Sequence, residues 1–385
     1  MTKFYSDKYR KILFITHHFL HGNGGGCFAS RAYINAFASI FDSVTLLYPY
    51  KEGMEAQFIN PKVEKIPVRY DKPKALKLLD LLLGRIHRYA NIKKWIGERK
   101  FDLVVFDTSL VSFRLIDYFK RLGCKTIVIH HNYQYEYFRD NTKFPLSIPT
   151  LYWCKRYEKE AVCKADLNLT LTNQDIELLK EHYDDGHAVF GKLGVFEYKA
   201  DEHKIKEYAN NTHPIFAITG TLGSYQTYES LYHWIEDYFP IFRKYFPESK
   251  LIVAGRNPSD KLTKLVTSNK NVEIIPNPTS MDDILDHSDF YICPTELGGG
   301  LKLRIMDGLS HGLPVVTHKV SARGYDDFEE KGYLFSYDSK ESFESCMKQL
   351  KEKTFNSAEI IKAYQGTFTF EAGVKRVGSI IKLLQ

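Results

Sequence analysis

Short apolar runs alternate with longer segments of helical spacing along most of the chain. The runs are typical of buried strands, because apolar residues follow one another with few polar interruptions. In the first half of the chain they are KILFIT (11–16), SVTLLY (43–48), DLVVFD (102–107), KTIVIHH (125–131) and DLNLTLT (166–172). The segment after the first run has Phe28, Ala32, Ala36 and Ile40 at helical spacing. Alternating strands and helices predict a parallel sheet covered by helices on both faces.

The alternation pauses over residues 194–213, a polar stretch without a buried-strand run, and then starts again. The later runs are PIFAITG (214–220), KLIVAG (250–255), NVEIIP (271–276), DFYICP (289–294) and PVVTH (314–318), with an aromatic-rich helical segment over 228–245. At ~100 to 200 residues per domain, 385 residues suffice for two or three domains. The prediction is an α/β protein with two doubly wound, Rossmann-like parallel-sheet domains, at 1–197 and 198–365, facing each other across a cleft.

Composition places the chain among soluble globular proteins, with 44% hydrophobic and 26% charged residues. No apolar run approaches the ~20 residues of a membrane-spanning helix, and the run near the N-terminus is too short for a signal peptide. Six cysteines are scattered without the short paired spacing of metal sites or disulfide scaffolds. We therefore expect a cytoplasmic protein with reduced thiols.

The net charge of +6 is modest, but one stretch concentrates basic residues. Between Lys72 and Lys100 there are nine Lys or Arg residues against two acidic ones, interleaved with leucines and isoleucines. Such a basic amphipathic segment can lie on an anionic membrane, and a solvated face of ordinary helices is the alternative. Nucleic acid is not an expected partner, because no recognised binding motif accompanies the charge.

The sequence ELGGGLKLRIMDGLSHGLPVV (296–316) carries the most specific chemistry. A predicted strand precedes it, and Leu301, Ile305 and Leu309 form one helical stripe after the glycines. Glycines before a helix let an anion approach the backbone N–H groups at the helix N-terminus, and Lys302 and Arg304 add positive charge there. A flexible turn is the alternative for an isolated glycine triplet. The flanking leucines and basic residues favour a diphosphate site.

This stretch resembles the donor-binding motif of retaining glycosyltransferases of family 4, also called group 1, in which a Gly-Gly-Gly-x-Lys run precedes an acidic residue and a Gly-x-Pro-Val-Val strand. The resemblance implies the GT-B fold, with a nucleotide-sugar bound mainly by the C-terminal domain. On that basis the backbone N–H groups of Gly299, Gly300 and Leu301, next to Gly298, would bind the diphosphate. Asp307 would bind the ribose hydroxyls.

Two features depart from the family pattern. Many members carry two glutamates eight positions apart, whereas this chain has Gly299 and Asp307 there, with Glu296 upstream as a candidate replacement. Members also often have basic residues after the first strand of the C-terminal domain, where this chain reads TGTLGSYQTYESL (219–231). Arg256, after the next strand, could supply that charge, with a surface arginine as the alternative, and Lys302 and Arg304 are better placed.

Further segments extend the resemblance. HHFLHGNGGGCFAS (17–30) resembles the family's first glycine loop, in which Gly25 and Gly26 would line the cleft opposite the donor phosphates. HHNYQYEYFR (130–139) resembles the segment after the family's fourth strand, and it places His131 near the sugar. A structural histidine at a strand end is the alternative for His131. Residues 366–385 resemble the closing helix that returns to the N-terminal domain.

The function implied by the resemblance is a retaining transfer of a hexosyl group from a nucleotide-sugar to a glycan or glycolipid acceptor, in surface polysaccharide or glycoconjugate biosynthesis. The candidate catalytic residues are His131, Lys302 and Glu296. Fixed N–H groups and cations would stabilise the leaving diphosphate, and no Asp-x-Asp sequence argues for a metal ion, so neither a metal nor a cofactor besides the donor is expected. A nucleotide-sugar epimerase and a non-catalytic partner of another transferase remain as alternatives.

Overall fold

The computed structural model of the protein describes residues 9–22, 24–69, 73–84, 89, 91–198, 213–298 and 300–384. The chain divides into two compact units. One contains Met1–Asp201 together with Phe368–Gln385, and the other contains Glu202–Thr367.

The N-terminal unit is built on a parallel sheet of seven strands in the order β3-β2-β1-β4-β5-β6-β7 among the described residues. The strands are β1 (Lys11–Thr16), β2 (Ser43–Tyr50), β3 (Glu64–Arg69), β4 (Leu103–Asp107), β5 (Lys125–His130), β6 (Leu167–Thr170) and β7 (Phe190–Lys192). The described helices that precede the C-terminal unit are α1 (Gly25–Ile40), α2 (Lys74–Leu82), α3 (Ile92–Ile96), α4 (Ser109–Ser112), α5 (Leu115–Arg121), α6 (Gln134–Asn141), α7 (Ser147–Lys164) and α8 (Asn173–Tyr183). The strands are added outward from β1 in one direction as far as β3, and from β4 in the opposite direction. The boundary between β1 and β4 is therefore a topological switch point, where ligands bind in open α/β sheets.

The C-terminal unit has a second parallel sheet, with six described strands in the order β10-β9-β8-β11-β12-β13. They are β8 (Ile215–Gly220), β9 (Lys250–Gly255), β10 (Val272–Pro276), β11 (Phe290–Cys293), β12 (Val315–His318) and β13 (Leu334–Tyr337). Its helices are α9 (Tyr225–His233), a π-helical turn (Trp234–Tyr238), α10 (Phe239–Tyr245), α11 (Asp260–Thr267), α12 (Asp282–Asp286), α13 (Arg304–Ser310), α14 (Lys319–Ala322), α15 (Asp326–Glu330), α16 (Lys340–Glu352) and α17 (Ser357–Phe368).

The last helix, α18 (Phe370–Ile381), and the 3₁₀ turn Lys382–Leu384 belong to the N-terminal unit. Gly373 on α18 packs against the ring of Phe196, where a Cβ would come within 2.1 Å of a ring carbon. Arg376 donates a 2.8 Å hydrogen bond to the carbonyl of Leu193. The last helix therefore packs against the segment that follows β7 in the N-terminal unit.

The predicted fold class is confirmed, and the inner strands lie where the apolar runs indicate. Side chains of the inner strands, such as Phe14 on β1 and Phe106 on β4, are completely buried. Each contributes roughly 1.5–3 kcal/mol relative to an exposed ring. The sequence pattern misses β3, β7 and β13, which all lie at sheet edges and are short or partly polar. Among the described residues, no helix combines the length and the apolar character needed to cross a membrane.

Candidate donor and acceptor sites

The glycine loop of the C-terminal unit connects β11 to α13. Gly298 and Gly300 have φ angles of 81° and 74°, in the left-handed region that glycine adopts without strain. A Cβ on Gly298 would also lie 2.6 Å from the side-chain nitrogen of Gln226. Gly299, the central residue of the predicted diphosphate motif, lies outside the described residues. The two described glycines are thus needed for the backbone conformation, and Gly298 is also needed for close packing.

Lys302 secures this loop. Its ammonium donates hydrogen bonds to the carbonyls of Leu297, at 3.1 Å, and Gly298, at 2.9 Å. Burial lowers the pKa of Lys302 to about 8, and the nearby guanidinium groups of Arg304 and Arg323 act in the same direction. The side chain therefore still carries most of its charge at neutral pH, beside the loop that is expected to receive the diphosphate.

Arg304, the first residue of α13, reaches back to the end of β8. Its Nη1 donates to the hydroxyl of Thr295 at 3.2 Å, and its Nη2 donates to the hydroxyl of Thr227 in the first turn of α9 at 3.3 Å. A Cβ on Gly220 would lie 2.8 Å from Nη1. Although the β8–α9 loop has no basic residue of its own, Arg304 brings a cation to it from the neighbouring helix.

The remaining predicted donor residues lie on adjacent segments of the same unit. The backbone N–H of Arg256 donates to the carbonyl of Gly220, and the Arg256 carbonyl accepts from Gly223, both at 3.1 Å. The Arg256 side chain is exposed. Leu301 is half-buried in the loop, and the Asp307 side chain is exposed in the first turn of α13. Strand-to-helix loops of one sheet thus bring together most of the motif.

Glu296 belongs to a chain of charged groups. Its Oε2 lies 2.8 Å from Nδ1 of His233 on α9, and Nε2 of that histidine lies 2.6 Å from Asp237. Asp237 also pairs with Lys340 at 2.6 Å. Asp237 lies on the π-helical turn, a type of distortion that often marks functional sites. The sequence analysis missed His233 as the partner that fixes the Glu296 carboxylate.

The N-terminal unit contains a second polar cluster at the carboxyl ends of β1, β4 and β5. Asp107 ends β4 and is completely buried. One carboxylate oxygen accepts hydrogen bonds from Thr16, at 2.6 Å, and Ser30, at 2.5 Å. The other lies 2.5 Å from Nε2 of His131, which directly follows β5. Because β1, β4 and β5 are adjacent and parallel, their ends meet at one edge of the sheet.

Electrostatics keep Asp107 ionised. Burial by itself would raise its pKa, but the charges of His131 and His18, and the hydrogen bonds from His131 and Ser30, outweigh burial. The pKa of Asp107 consequently lies well below its usual range. The sequence analysis named His131 but missed Asp107, an acidic residue at the end of an apolar strand.

Gly25 and Gly26 begin α1, next to this cluster. A Cβ on Gly26 would lie 2.3 Å from Cε1 of His18, so the absence of a side chain makes room for the imidazole. The ligating atoms of His18, Asp107 and His131 all lie within 4.8 Å of one another. Gly26 thus leaves room for His18, and its carbonyl accepts a 2.8 Å hydrogen bond from the Ser30 hydroxyl. Its predicted place opposite the donor phosphates stays a prediction.

Comparison with known proteins gives a family match within the C-terminal unit. The family model for glycosyl transferases group 1 matches residues 214–353, which include the whole glycine loop. The comparison with curated proteins gives no match.

Solved structures match over nearly the whole chain. A lipopolysaccharide outer core galactosyltransferase, WaaB, is 11% identical with a TM-score of 0.68, and the match covers 97% of this chain and 99% of that one. A sucrose-phosphate synthase from Thermosynechococcus elongatus is 13% identical with the same TM-score and coverage. HepE from Anabaena, solved with UDP, is 11% identical with a TM-score of 0.63 and the same coverage. At these identities the structures show the fold, and the family model adds the sequence motif. The chain therefore has the GT-B fold, and its residues 214–353 match the family model for glycosyl transferases group 1.

Proposed function

We propose that the protein transfers a sugar from a nucleoside-diphosphate sugar to a glycan or glycolipid acceptor, with retention of the anomeric configuration, in surface polysaccharide or glycoconjugate biosynthesis. The observation that carries this proposal is the glycine loop with Lys302 and Arg304, which lies inside the segment matched by the family model. Solved neighbours with the same fold include HepE with UDP and glucose, and a pneumococcal O-GlcNAc transferase with UDP and GlcNAc. They support a UDP-sugar as the first donor to test.

In this proposal the C-terminal unit stabilises the leaving diphosphate without a metal ion at the phosphates. Negative charge grows on the diphosphate as the glycosidic bond breaks, and preorganised donors stabilise it because they need no reorganisation. Backbone N–H groups of the glycine loop and the guanidinium of Arg304 would supply that field. Lys302 would add charge, Asp307 would bind the ribose, and Glu296, held by His233, would face the sugar. The leaving phosphate itself would accept the acceptor proton.

The proposal is tested by thermal unfolding with UDP, GDP, ADP and dTDP, each with and without EDTA. A nucleoside diphosphate at ~100 times its Kd should stabilise the protein by ~2.7 kcal/mol. EDTA should leave the UDP-induced shift unchanged, because the proposed phosphate ligands are protein groups. If none of the four diphosphates changes the unfolding temperature, the donor site is not here.

Variants separate the roles of the two motif residues. Lys302→Ala should weaken diphosphate binding more than nucleoside binding, whereas Asp307→Ala should weaken both. Lys319→Ala is the matched control, since Lys319 is an exposed lysine of the same unit paired with Asp338 at 3.2 Å. Equal losses for nucleoside and diphosphate in Lys302→Ala would contradict the proposed assignment.

We also propose that the acceptor side contacts an anionic membrane, through α2 and not through the whole stretch from Lys72 to Lys100. On and next to α2 the exposed apolar side chains are Leu76, Leu78, Leu79, Leu82 and Leu83. A second exposed set is Phe144, Leu146, Ile148 and Tyr152, and the two sets are adjacent because Trp153 donates to the carbonyl of Leu82. On α3, by contrast, Ile92 and Ile96 are buried. Beyond α3, Arg99 pairs with Glu64.

Vesicle sedimentation tests this surface. Wild-type protein should sediment with anionic vesicles and less so as salt rises, since each basic residue near such a surface contributes ~1 kcal/mol. Replacing Leu79, Leu82 and Ile148 with Ser should abolish sedimentation, whereas Lys93→Gln with Lys94→Gln should change it little. If wild type does not bind anionic vesicles at low salt, the apolar surface serves another purpose and a soluble acceptor is favoured.

A further inference from the structure

We propose that Glu158 is a positioning residue for His131, because it holds the start of α6 and thereby the imidazole that lies beside Asp107. The inference rests on the proposed function, in which His131 is a candidate catalytic residue. Glu158 lies on α7 and is completely buried, which is rare for a glutamate unless partners satisfy it. The sequence around it, KRYEKEAV (155–162), gives no sign of this role.

Two buried carboxyl groups bind three successive backbone N–H groups where α6 begins. Oε1 of Glu158 accepts from the N–H of Gln134 at 2.6 Å, and Oε2 accepts from the N–H of Tyr135 at 3.2 Å. Oδ1 of Asp175, on α8, accepts from the N–H of Tyr133 at 3.0 Å. The first N–H groups of a helix have no partner within the helix, and the described N-cap residue, Tyr133, makes no capping hydrogen bond with its side chain. Groups from α7 and α8 therefore replace the missing cap.

The segment that is held in this way contains His131. β5 ends at His130, His131 follows directly, and α6 begins at Gln134. The sheet fixes one side of this segment, since β5 lies between β4 and β6, and the two buried carboxyl groups fix the other side. Without the second anchor, the backbone dihedral angles of residues 131–133 are free to change. Such a change moves the His131 ring relative to Asp107, from which its Nε2 now lies 2.5 Å.

The protonation state of Glu158 affects how strongly it holds the segment. Burial raises the pKa of Glu158 to about 8, although the two backbone N–H groups and the hydroxyl of Tyr183 act in the opposite direction. As pH rises through 8 the carboxylate forms, and a carboxylate accepts more strongly from N–H groups than a neutral carboxyl group does. The titratable side chains that face Glu158 are those of Tyr133, Cys154, Asp175 and Tyr183. Burial raises the pKa of the two tyrosines and the cysteine, so these groups keep their protons in this range.

The test follows the His131 ring by NMR of the full-length protein, with carbon-13 in the histidine side chains and His131→Gln to assign the signal. In Glu158→Met, which keeps the length of the side chain and removes both oxygens, the His131 signal should shift from its wild-type position. In Glu158→Gln, which keeps one acceptor oxygen, the shift should be smaller. Glu160→Gln is the matched control and should leave the signal unchanged. Glu160 also accepts from a backbone N–H, that of Arg114 at 2.6 Å, but in a solvent-exposed hydrogen bond of the same helix.

A pH series keeps the proposal testable even if Glu158→Met does not fold. Between pH 7 and 9 the wild-type His131 signal should move as Glu158 ionises, and this step should be absent in Glu158→Gln, which carries no ionisable group there. Either an unchanged His131 signal in folded Glu158→Met, or identical pH profiles for wild type and Glu158→Gln, would overturn the proposal.

The UDP-induced shift in unfolding temperature, measured on the same samples, reports the donor loop independently. It should be equal in wild type and Glu158→Gln, because Glu158 belongs to the N-terminal unit. If UDP does not shift the unfolding temperature of wild type, the proposed function fails, whereas the effect of Glu158 on His131 is still decided by the NMR signals.

Discussion

The carboxyl ends of the two sheets hold groups of opposite charge, although both units share the same architecture. In the N-terminal unit the central group is a buried carboxylate, Asp107, whose charge is met by two hydroxyls and an imidazole. In the C-terminal unit the central groups are cations, and the hydrogen bonds described for Lys302 and Arg304 go to neutral carbonyls and hydroxyls. The first edge thus holds a buried anion, whereas the second holds cations beside the loop that we propose for an anionic ligand.

This difference shows that the parallel sheet determines where a binding site lies but not which ligand binds there. Each unit directs strand-to-helix loops to one edge, but the residues at the strand ends determine what can bind there. The difference also distinguishes residues that matter for folding from residues that matter for ligand binding. A buried, hydrogen-bonded carboxylate should matter most for folding, and cations beside the proposed phosphate loop should matter most for binding.

The largest effect is expected for Asp107→Asn. Removing the charge weakens the three hydrogen bonds that the carboxylate accepts or shares with Thr16, Ser30 and His131, and breaking a buried charged network of this kind typically costs about 3–5 kcal/mol. Denaturant unfolding of the full chain should show this loss in the N-terminal unit. Asp117→Asn is the control, because Asp117 forms a half-exposed pair with Lys164 and should cost no more than ~1 kcal/mol. Similar losses in the two variants would remove the distinction between the edges.

Arg304→Met should have the next largest effect, mainly on binding. A hydrogen bond to a charged group contributes about 1.5–3 kcal/mol, so the Kd for UDP should rise by roughly 10- to 100-fold. The free energy of unfolding should fall by less than in Asp107→Asn, because the described partners of Arg304 are two buried but neutral threonine hydroxyls, and such hydrogen bonds contribute about 0.5–1.5 kcal/mol each. Calorimetric titration measures the Kd.

Arg256→Met is the comparison for that experiment, because Arg256 is the other candidate for the missing basic residue and its side chain is exposed. Its effect should be smaller than that of Arg304→Met. A larger effect would mean that the β9 loop, and not α13, supplies the cation to the donor phosphates.

Gly26→Ala tests whether the N-terminal edge depends on close packing. The new Cβ would meet the His18 ring at 2.3 Å, so the ring must move, and overpacking of this kind typically costs about 1–3 kcal/mol. Gly24→Ala is the matched control in the same loop, since nothing lies within 4 Å of its Cβ. Thermal unfolding compares the pair, and equal unfolding temperatures would show that the His18 ring adapts without cost.

The sequence predicts best those features whose residues follow one another along the chain. Inner strands such as β1 and β4 are buried on both faces and therefore read as unbroken apolar runs, whereas the edge strand β3 contains charged residues and a proline. The glycine loop is recognisable because its residues follow one another. The contact of Arg304 with Gly220 is not recognisable, because it joins the start of α13 to the end of β8, which are far apart in sequence. The cluster around Asp107 is hidden for the same reason.

The smallest expected effect is a pH dependence of donor binding that only the cationic edge should show. The pKa of Lys302 is lowered to about 8, mainly by burial, so its ammonium loses its proton as pH rises through 8. A diphosphate prefers the charged form, and binding then takes up a proton above pH 8. The affinity for UDP should be constant near pH 7 and fall by at most about tenfold, or ~1.4 kcal/mol, between pH 8 and 9. Lys302→Arg keeps its charge throughout this range, so its affinity should stay flat. If wild type and Lys302→Arg have the same profile by calorimetric titration, Lys302 fastens the loop but does not contribute charge to the bound phosphates.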